Sequence, residues 1–179
     1  MNTAETPIGR YDRTTVLLHW TTAVLVVGLW ILAQVIDDFA NPARIMVRSL
    51  HITLGLVLMV VLLWRLTWRL RGGVRLPDEH PLWMHRIAQT THIGLYALLA
   101  ATVVMGVTNE LVRGDNIFTL FKLPSIAPGN RALRGTVGDL HGLLANALLI
   151  LAGFHATAAL FRHYVLRDGL LRRMGFGAP

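Results

Sequence analysis

Two histidines, His141 and His155, stand fourteen residues apart in the run Leu140 to Tyr164, LHGLLANALLILAGFHATAALFRHY. At 100° per residue, fourteen steps return to within about 40° of a whole number of turns, with a rise of roughly 21 Å. On a helix both imidazoles therefore share one face at two depths. Between them on that face lie Ala145, Leu148 and Ala152, and the stripe continues through Ala159 to His163. Two of the three intervening residues are small, which leaves room for a flat group. The run is apolar enough to cross a membrane, where a buried imidazole is costly unless something satisfies it. An iron bound to each would do so. The pattern implies one helix giving an axial ligand to each of two stacked haems.

Composition sets the elements that must hold such ligands. Hydrophobic residues make up 54% of the 179 positions and charged residues 15%, which marks an integral membrane chain with length for about four spans. There is no cysteine, so disulfides, thiolate metal sites, iron–sulfur clusters and thiol-attached haem are excluded. The net charge of +7 comes from basic residues bordering apolar runs. They are read as facing lipid headgroups, with no nucleic-acid partner.

Four spans follow, at about 14–36, 49–70, 87–109 and 140–164, in one membrane domain covering residues 1–179. The first is too long for a signal-peptide core and is expected to be retained. The second has only 16 uncharged residues and is expected to lengthen by snorkelling of Arg65 and Arg69, with Trp64 and Trp68 at the interface. Leu70 to Arg86, with Gly72, Gly73, Pro77 and Pro81, reads as a connection, and its His80 and His85 as solvated. Glu110 to Asp139 reads as the longest loop. The fold class is thus an all-α, antiparallel four-helix membrane bundle.

Basic residues orient it. With the N-terminus inside, eleven arginines flank the inner face, while Arg44, Arg48, Arg113, Lys122, Arg131 and Arg134 make six on the outer. Both termini are expected in the cytoplasm. His19 then lies near the inner surface and His51 near the outer, because their helices run in opposite directions. His141 falls at the outer level and His155 at the inner. Depth alone pairs His19 with His155 and His51 with His141, one bis-histidine haem for each leaflet. Such a haem has no open coordination position, so it passes single electrons and binds no substrate. Without haem the bundle is expected to form poorly.

From about Tyr11 to Met174 the chain resembles the bacterial cytochrome b561 family, allied to the di-haem cytochrome b subunits of hydrogenases and formate dehydrogenases. The matching stretches are LLHW at 17 to 20, SLHITLG at 49 to 55, HIGLY at 92 to 96, VRGD at 112 to 115, and the run from His141 to Met174 with its H-Y-x-x-x-D. The resemblance implies haem b ligated by His19, His51, His141 and His155, the set that depth had paired. Family members often carry a second histidine three residues before the one at 92, where this chain has Gln89.

Compact four-helix members resemble superoxide oxidases, which take electrons from superoxide at the outer surface and give them to ubiquinone. That resemblance implies a quinone-linked oxidoreductase of the bacterial inner membrane. Arg113, Lys122, Arg131 and Arg134 would steer the anion, with Arg113 foremost because it lies in a family motif. His163, about 80° round the helix from His155, would contact the quinone and deliver a proton. His92 and Tyr96 would contact either a propionate of the inner haem or the quinone. The alternative function is an electron-relay subunit joining a partner dehydrogenase or soluble cytochrome to the quinone pool.

Overall fold

The computed structural model describes residues 9–72 and 81–175. Helix α1 (Arg13–Val35) continues into a short 3-10 turn at Ile36–Asp38 and is followed by α2 (Ala43–Arg71), α3 (Leu82–Arg113) and α4 (Arg131–Tyr164). A two-stranded ladder, β1 (Asn116–Ile117) against β2 (Phe121–Lys122), lies between α3 and α4, and a single turn, α5 (Leu170–Arg173), ends the chain. Among the described residues the protein is all-α but for that ladder, and four of the helices are long and apolar enough to cross a membrane. Gly73, Arg75, Pro77 and His80 of the second connection lie outside the described residues.

Each helix starts and stops for local reasons. The Asp12 carboxylate accepts from Thr15 N at 2.8 Å and so caps α1, and Asn130 Oδ1 accepts from Leu133 N at 3.0 Å to cap α4. Helix α3 ends at Gly114, which takes a left-handed φ of 64° while its N–H donates to the Glu110 carbonyl at 2.8 Å. A Cβ there would lie 2.7 Å from the Leu123 carbonyl oxygen, so only glycine fits the turn.

The membrane stretches sit inside longer helices than hydropathy indicated. Helix α2 begins at Ala43, so Ala43 to Arg48 belongs to a helix and not to the preceding loop. Helix α3 runs from Leu82 to Arg113, which places the exposed His85 and Arg86 on a helix. Helix α4 begins at Arg131, nine residues before the apolar run. The outer loop from Glu110 to Asp139 thus shrinks to the segment between α3 and α4. Hydropathy registers the part of a helix that meets hydrocarbon, and these polar turns project beyond it.

Helix α1 packs chiefly on α2 and α3 on α4, while α1 barely touches α4. The bundle is thus two hairpins facing each other across a looser seam. At mid-depth the seam closes on a cluster of Leu29, Leu58, Leu62, Leu99 and Leu148. Apolar side chains such as Val24, Val60, Ile93 and Phe154 point outward and stay exposed, as expected of surfaces solvated by lipid.

Candidate functional site

The seam brings the histidines together in two groups. At one level His19 of α1 faces His155 of α4, with ring centroids 6.4 Å apart, and His92 of α3 lies 5.3 Å from His155. At the other, His51 of α2 faces His141 of α4 at 6.3 Å. Leu148 of the apolar cluster is seven residues from each α4 histidine, so the cluster separates the two levels.

These distances test whether an iron would fit. A metal–imidazole bond of about 2 Å, with the ring centroid about 1.1 Å behind the nitrogen, puts two centroids about 6.3 Å apart across one metal. The His19–His155 and His51–His141 separations meet that value. The His92–His155 separation is about 1 Å too short for it, so His92 sits beside the inner pair without matching a ligand position.

Tautomers add a second test. His141 Nδ1 lies 3.1 Å from the Thr102 carbonyl oxygen, which can only accept, so Nδ1 carries the proton and Nε2 keeps its lone pair for a metal. Gly106 lets the ring approach α3 closely, since a Cβ there would stand 3.0 Å from His141 Cε1. His51 lies against the Leu29 backbone carbonyl, an acceptor that can hold one ring proton and leave the other nitrogen for a metal. His51 also adjoins Ser49, which is fully buried, donates to the Ile45 carbonyl at 2.7 Å and accepts from Phe118 N at 2.8 Å. That bond ties the loop ladder down onto α2, where Phe118 and Thr119 make a turn at positive φ without glycine. The ring separations at both levels fit an iron, so His19 and His155 could hold one and His51 and His141 another; at the first level Arg65 Nη2, 3.1 Å from His19 Nδ1, would have to give way for His19 to ligate through Nε2.

The end of the bundle near the His51–His141 level, expected to face outward, carries a polar cavity of about 370 Å³ lined by Asn41, Arg44, Ile45, Arg48, Arg113 and Asp115. Arg48 is one turn from His51 on α2, and Arg113 is two turns beyond Gly106 on α3, so the cavity lies above the His51–His141 level. Arg48 pairs with Asp115 at 3.0 Å, and Arg44 pairs with Asp37. Arg113 donates through Nε to the neutral Asn109 Oδ1 at 3.0 Å and interacts with the Glu110 carboxylate at longer range, without a close ion pair among the described residues. Of the four cations expected to act together, only Arg113 lines this cavity. Lys122 is exposed on β2, Arg131 is exposed in the first turn of α4, and Arg134 is half-buried there with an unpartnered Nε. Arg44 and Arg48 line it beside Arg113, each paired with a carboxylate, although sequence reasoning places both in a loop.

The opposite end, expected to face the cytoplasm, holds His163 and the C-terminal turn. His163 Nδ1 is buried without a partner, its ring lies against Tyr164 at 4.8 Å, and Arg173 Nε is likewise buried and unpartnered. The chain folds back over α1: Tyr11 N donates to the Arg173 carbonyl at 3.1 Å and Trp20 Nε1 to the Met174 carbonyl at 3.0 Å. Asp168, the acid of H-Y-x-x-x-D, accepts from Arg162 Nε at 2.7 Å and from Leu170 N at 2.9 Å, and so pins that return. Tyr96 lies under Arg65, whose guanidinium carbon is 5.1 Å from the ring centroid. Arg65 points into the bundle and does not snorkel, another residue that sequence reasoning misplaced.

Four apolar spans with facing imidazoles at two levels describe a membrane cytochrome of the b type. The chain matches the model of the prokaryotic cytochrome b561 family over residues 10–177 and belongs to that family. It is 26% identical over 171 residues to cytochrome b561 homolog 1 of Escherichia coli K12, covering 93% of this chain and 97% of that one. It is 28% identical over 170 residues to the probable superoxide oxidase CybB of Yersinia pestis, at 92% and 95% coverage, and 29% identical over 170 residues to cytochrome b562 of Cereibacter sphaeroides, at 92% and 94%. Membership makes it a multi-pass electron-transfer protein of a bacterial membrane, in a family that carries haem b.

Proposed function

We propose that this cytochrome binds two haems b and carries electrons across the inner membrane from superoxide, at the outer face, to ubiquinone at the inner. Both termini then lie in the cytoplasm. The observation that carries the reading is the pair of imidazole separations, 6.4 and 6.3 Å, at two levels of one seam. His19 and His155 hold the inner group, and His51 and His141 the outer. Haem held by two imidazoles supplies one-electron exchange at an iron with no position open to a substrate.

The remaining work falls to the chain's own residues. Arg113, with Arg44 and Arg48 around the outer cavity, draws a small anion toward the His51–His141 level. Two superoxide ions lose one electron each and leave as dioxygen, while one ubiquinone takes up two electrons and two protons. His163, with a buried Nδ1 that no group among the described residues uses, offers a hydrogen bond to a quinone oxygen and a route for a proton at the inner surface. The name of the Yersinia pestis relative supports superoxide as donor.

The test is stopped-flow absorbance of the oxidised protein mixed with superoxide, with and without ubiquinone. Fast haem reduction that slows about tenfold in Arg113→Gln and loses its salt dependence, followed by quinone-dependent reoxidation, is the expected result. A response no faster than that of Arg113→Gln, in a protein with full haem content, would refute superoxide as donor and leave a relay that awaits a protein partner.

A further inference from the structure

Arg65 obeys the interval that organises the histidines. It follows His51 on α2 by fourteen residues, as His155 follows His141 on α4. Helix α2 therefore presents an imidazole at the outer level and a guanidinium at the inner, about 40° apart in azimuth. The guanidinium lies half-buried among inner-site groups: Nη2 is 3.1 Å from His19 Nδ1, and the face of Tyr96 lies beneath it. Arg69, one turn on, stands 6.0 Å from the centroid of the same ring.

Among the described residues no carboxylate pairs with Arg65. Asp12 caps α1 and Asp168 holds Arg162, so the nearby acids are committed. A cation inside a span is costly without an anion, and a cation–π contact offsets only part of that cost. Its bond to His19 is also at odds with a metal there. A neutral imidazole that accepts at Nδ1 carries its proton on Nε2 and has no lone pair left for iron. With His19 ligating through Nε2, Nδ1–H and the guanidinium are two donors facing each other. Arg65 then keeps the Tyr96 side-chain oxygen as an acceptor but faces no carboxylate among the described residues.

Haem brings two carboxylates. We propose that Arg65 is the partner of an inner-haem propionate, held at the site by Tyr96 and seconded by Arg69. The planar fork suits a carboxylate, and the pair removes both an unpaired cation and an unpaired anion from the bundle. By cancelling a negative charge near the iron, Arg65 also favours the reduced, less positive state of the inner haem. It is a positioning and tuning residue rather than a catalytic one. The inference rests on the di-haem reading above.

Redox potentiometry with redox-induced infrared difference spectroscopy, on wild type, Arg65→Gln and Arg65→Lys, tests it. In Arg65→Gln we expect the inner-haem reduction equilibrium to fall about tenfold, which is about 59 mV for one electron. The outer haem should keep its potential, and a carboxylate band should shift. Arg65→Lys should retain most of the potential. Loss of the inner haem from Arg65→Gln alone would also support the pairing. Two haems in Arg65→Gln with unshifted potentials and carboxylate bands would overturn it, as would loss of the inner haem from both variants, since lysine keeps the charge. A wild-type protein with no haem would instead overturn the di-haem reading itself.

Discussion

Gly106→Ala should weaken the outer haem and spare the inner one. A Cβ at position 106 would lie 3.0 Å from His141 Cε1 and 3.5 Å from Nδ1. Carbon–carbon contacts settle at about 3.5–4.0 Å, so the ring would have to retreat by roughly 0.5 Å. It has little freedom to do so. Its Nδ1 is tied to the Thr102 carbonyl at 3.1 Å, and metal–ligand bonds tolerate only about 0.2 Å. Overpacking of this kind costs about 1–3 kcal/mol. At about 1.4 kcal/mol per tenfold, the hold on the outer haem should fall roughly 5- to 100-fold. The measurement is haem per polypeptide after dilution in detergent, with a potentiometric titration resolving the two components. We expect loss of the component assigned to His51 and His141. Gly28→Ala is the control, because a Cβ there meets no atom within 4 Å. Two components in Gly106→Ala at wild-type stoichiometry and potentials would refute the assignment of His141 as a ligand in this geometry.

Two further expectations follow from distances at the inner end. His155→Ala should remove the inner haem, whereas His92→Ala should leave both haems, because His92 stands 5.3 Å from His155 and His19 stands at the spacing one metal requires; haem counting decides, and loss of the inner haem from His92→Ala would reverse the ligand choice. Asp168→Asn should lower stability by about 2–3 kcal/mol, below the range for a fully buried broken pair, because the Arg162 and Asp168 side chains keep 17% and 11% exposure. Thermal unfolding in detergent measures that loss, and an unchanged transition would show that the return of the C-terminal segment does not depend on this acid.

The grouping of the histidines was legible because two simple periods govern it. Helical repeat places His141 and His155 on one face, and the alternating direction of four spans places His19 and His51 at matching depths. Both follow from counting residues. What counting could not supply was the extent of the helices. Arg44 and Arg48 look like loop cations because they precede an apolar run, yet α2 begins at Ala43 and carries both to the rim of the outer cavity. Arg65 failed for a different reason. A cation near the end of a short apolar run ordinarily reaches for water, and only the placement of Tyr96 and His19 on two other helices shows that this one turns inward. Its fourteen-residue interval from His51 was the available signal. The acids of VRGD and H-Y-x-x-x-D entered the sequence reading only as parts of family motifs. In the fold, Asp115 holds α2 against the end of α3, and Asp168 holds the C-terminal return.

The five leucines at mid-depth give the bundle its vectorial character. Leu29, Leu58, Leu62, Leu99 and Leu148 close the seam between the two histidine levels, with Tyr96 packed against them and the Asn146 amide, two residues from Leu148, occupied by Trp30 Nε1 at 2.8 Å. An apolar layer of this kind gives water and protons few hydrogen-bonding partners, and moving an ion through it carries a large desolvation cost. Electrons face no such requirement, because they pass between cofactors without a solvated carrier. If electrons enter at the outer level and quinone is reduced at the inner, the protons for that reduction must therefore come from the inner aqueous side. His163, beside the inner surface and beyond the leucine layer, is placed for that supply. A polar substitution in the layer, Leu148→Asn for instance, would put an amide at the midpoint of α4. It should raise proton leak through reconstituted vesicles while the haem ligands stay in place, and a leak rate equal to that of wild type would show that the layer is not what separates the two flows.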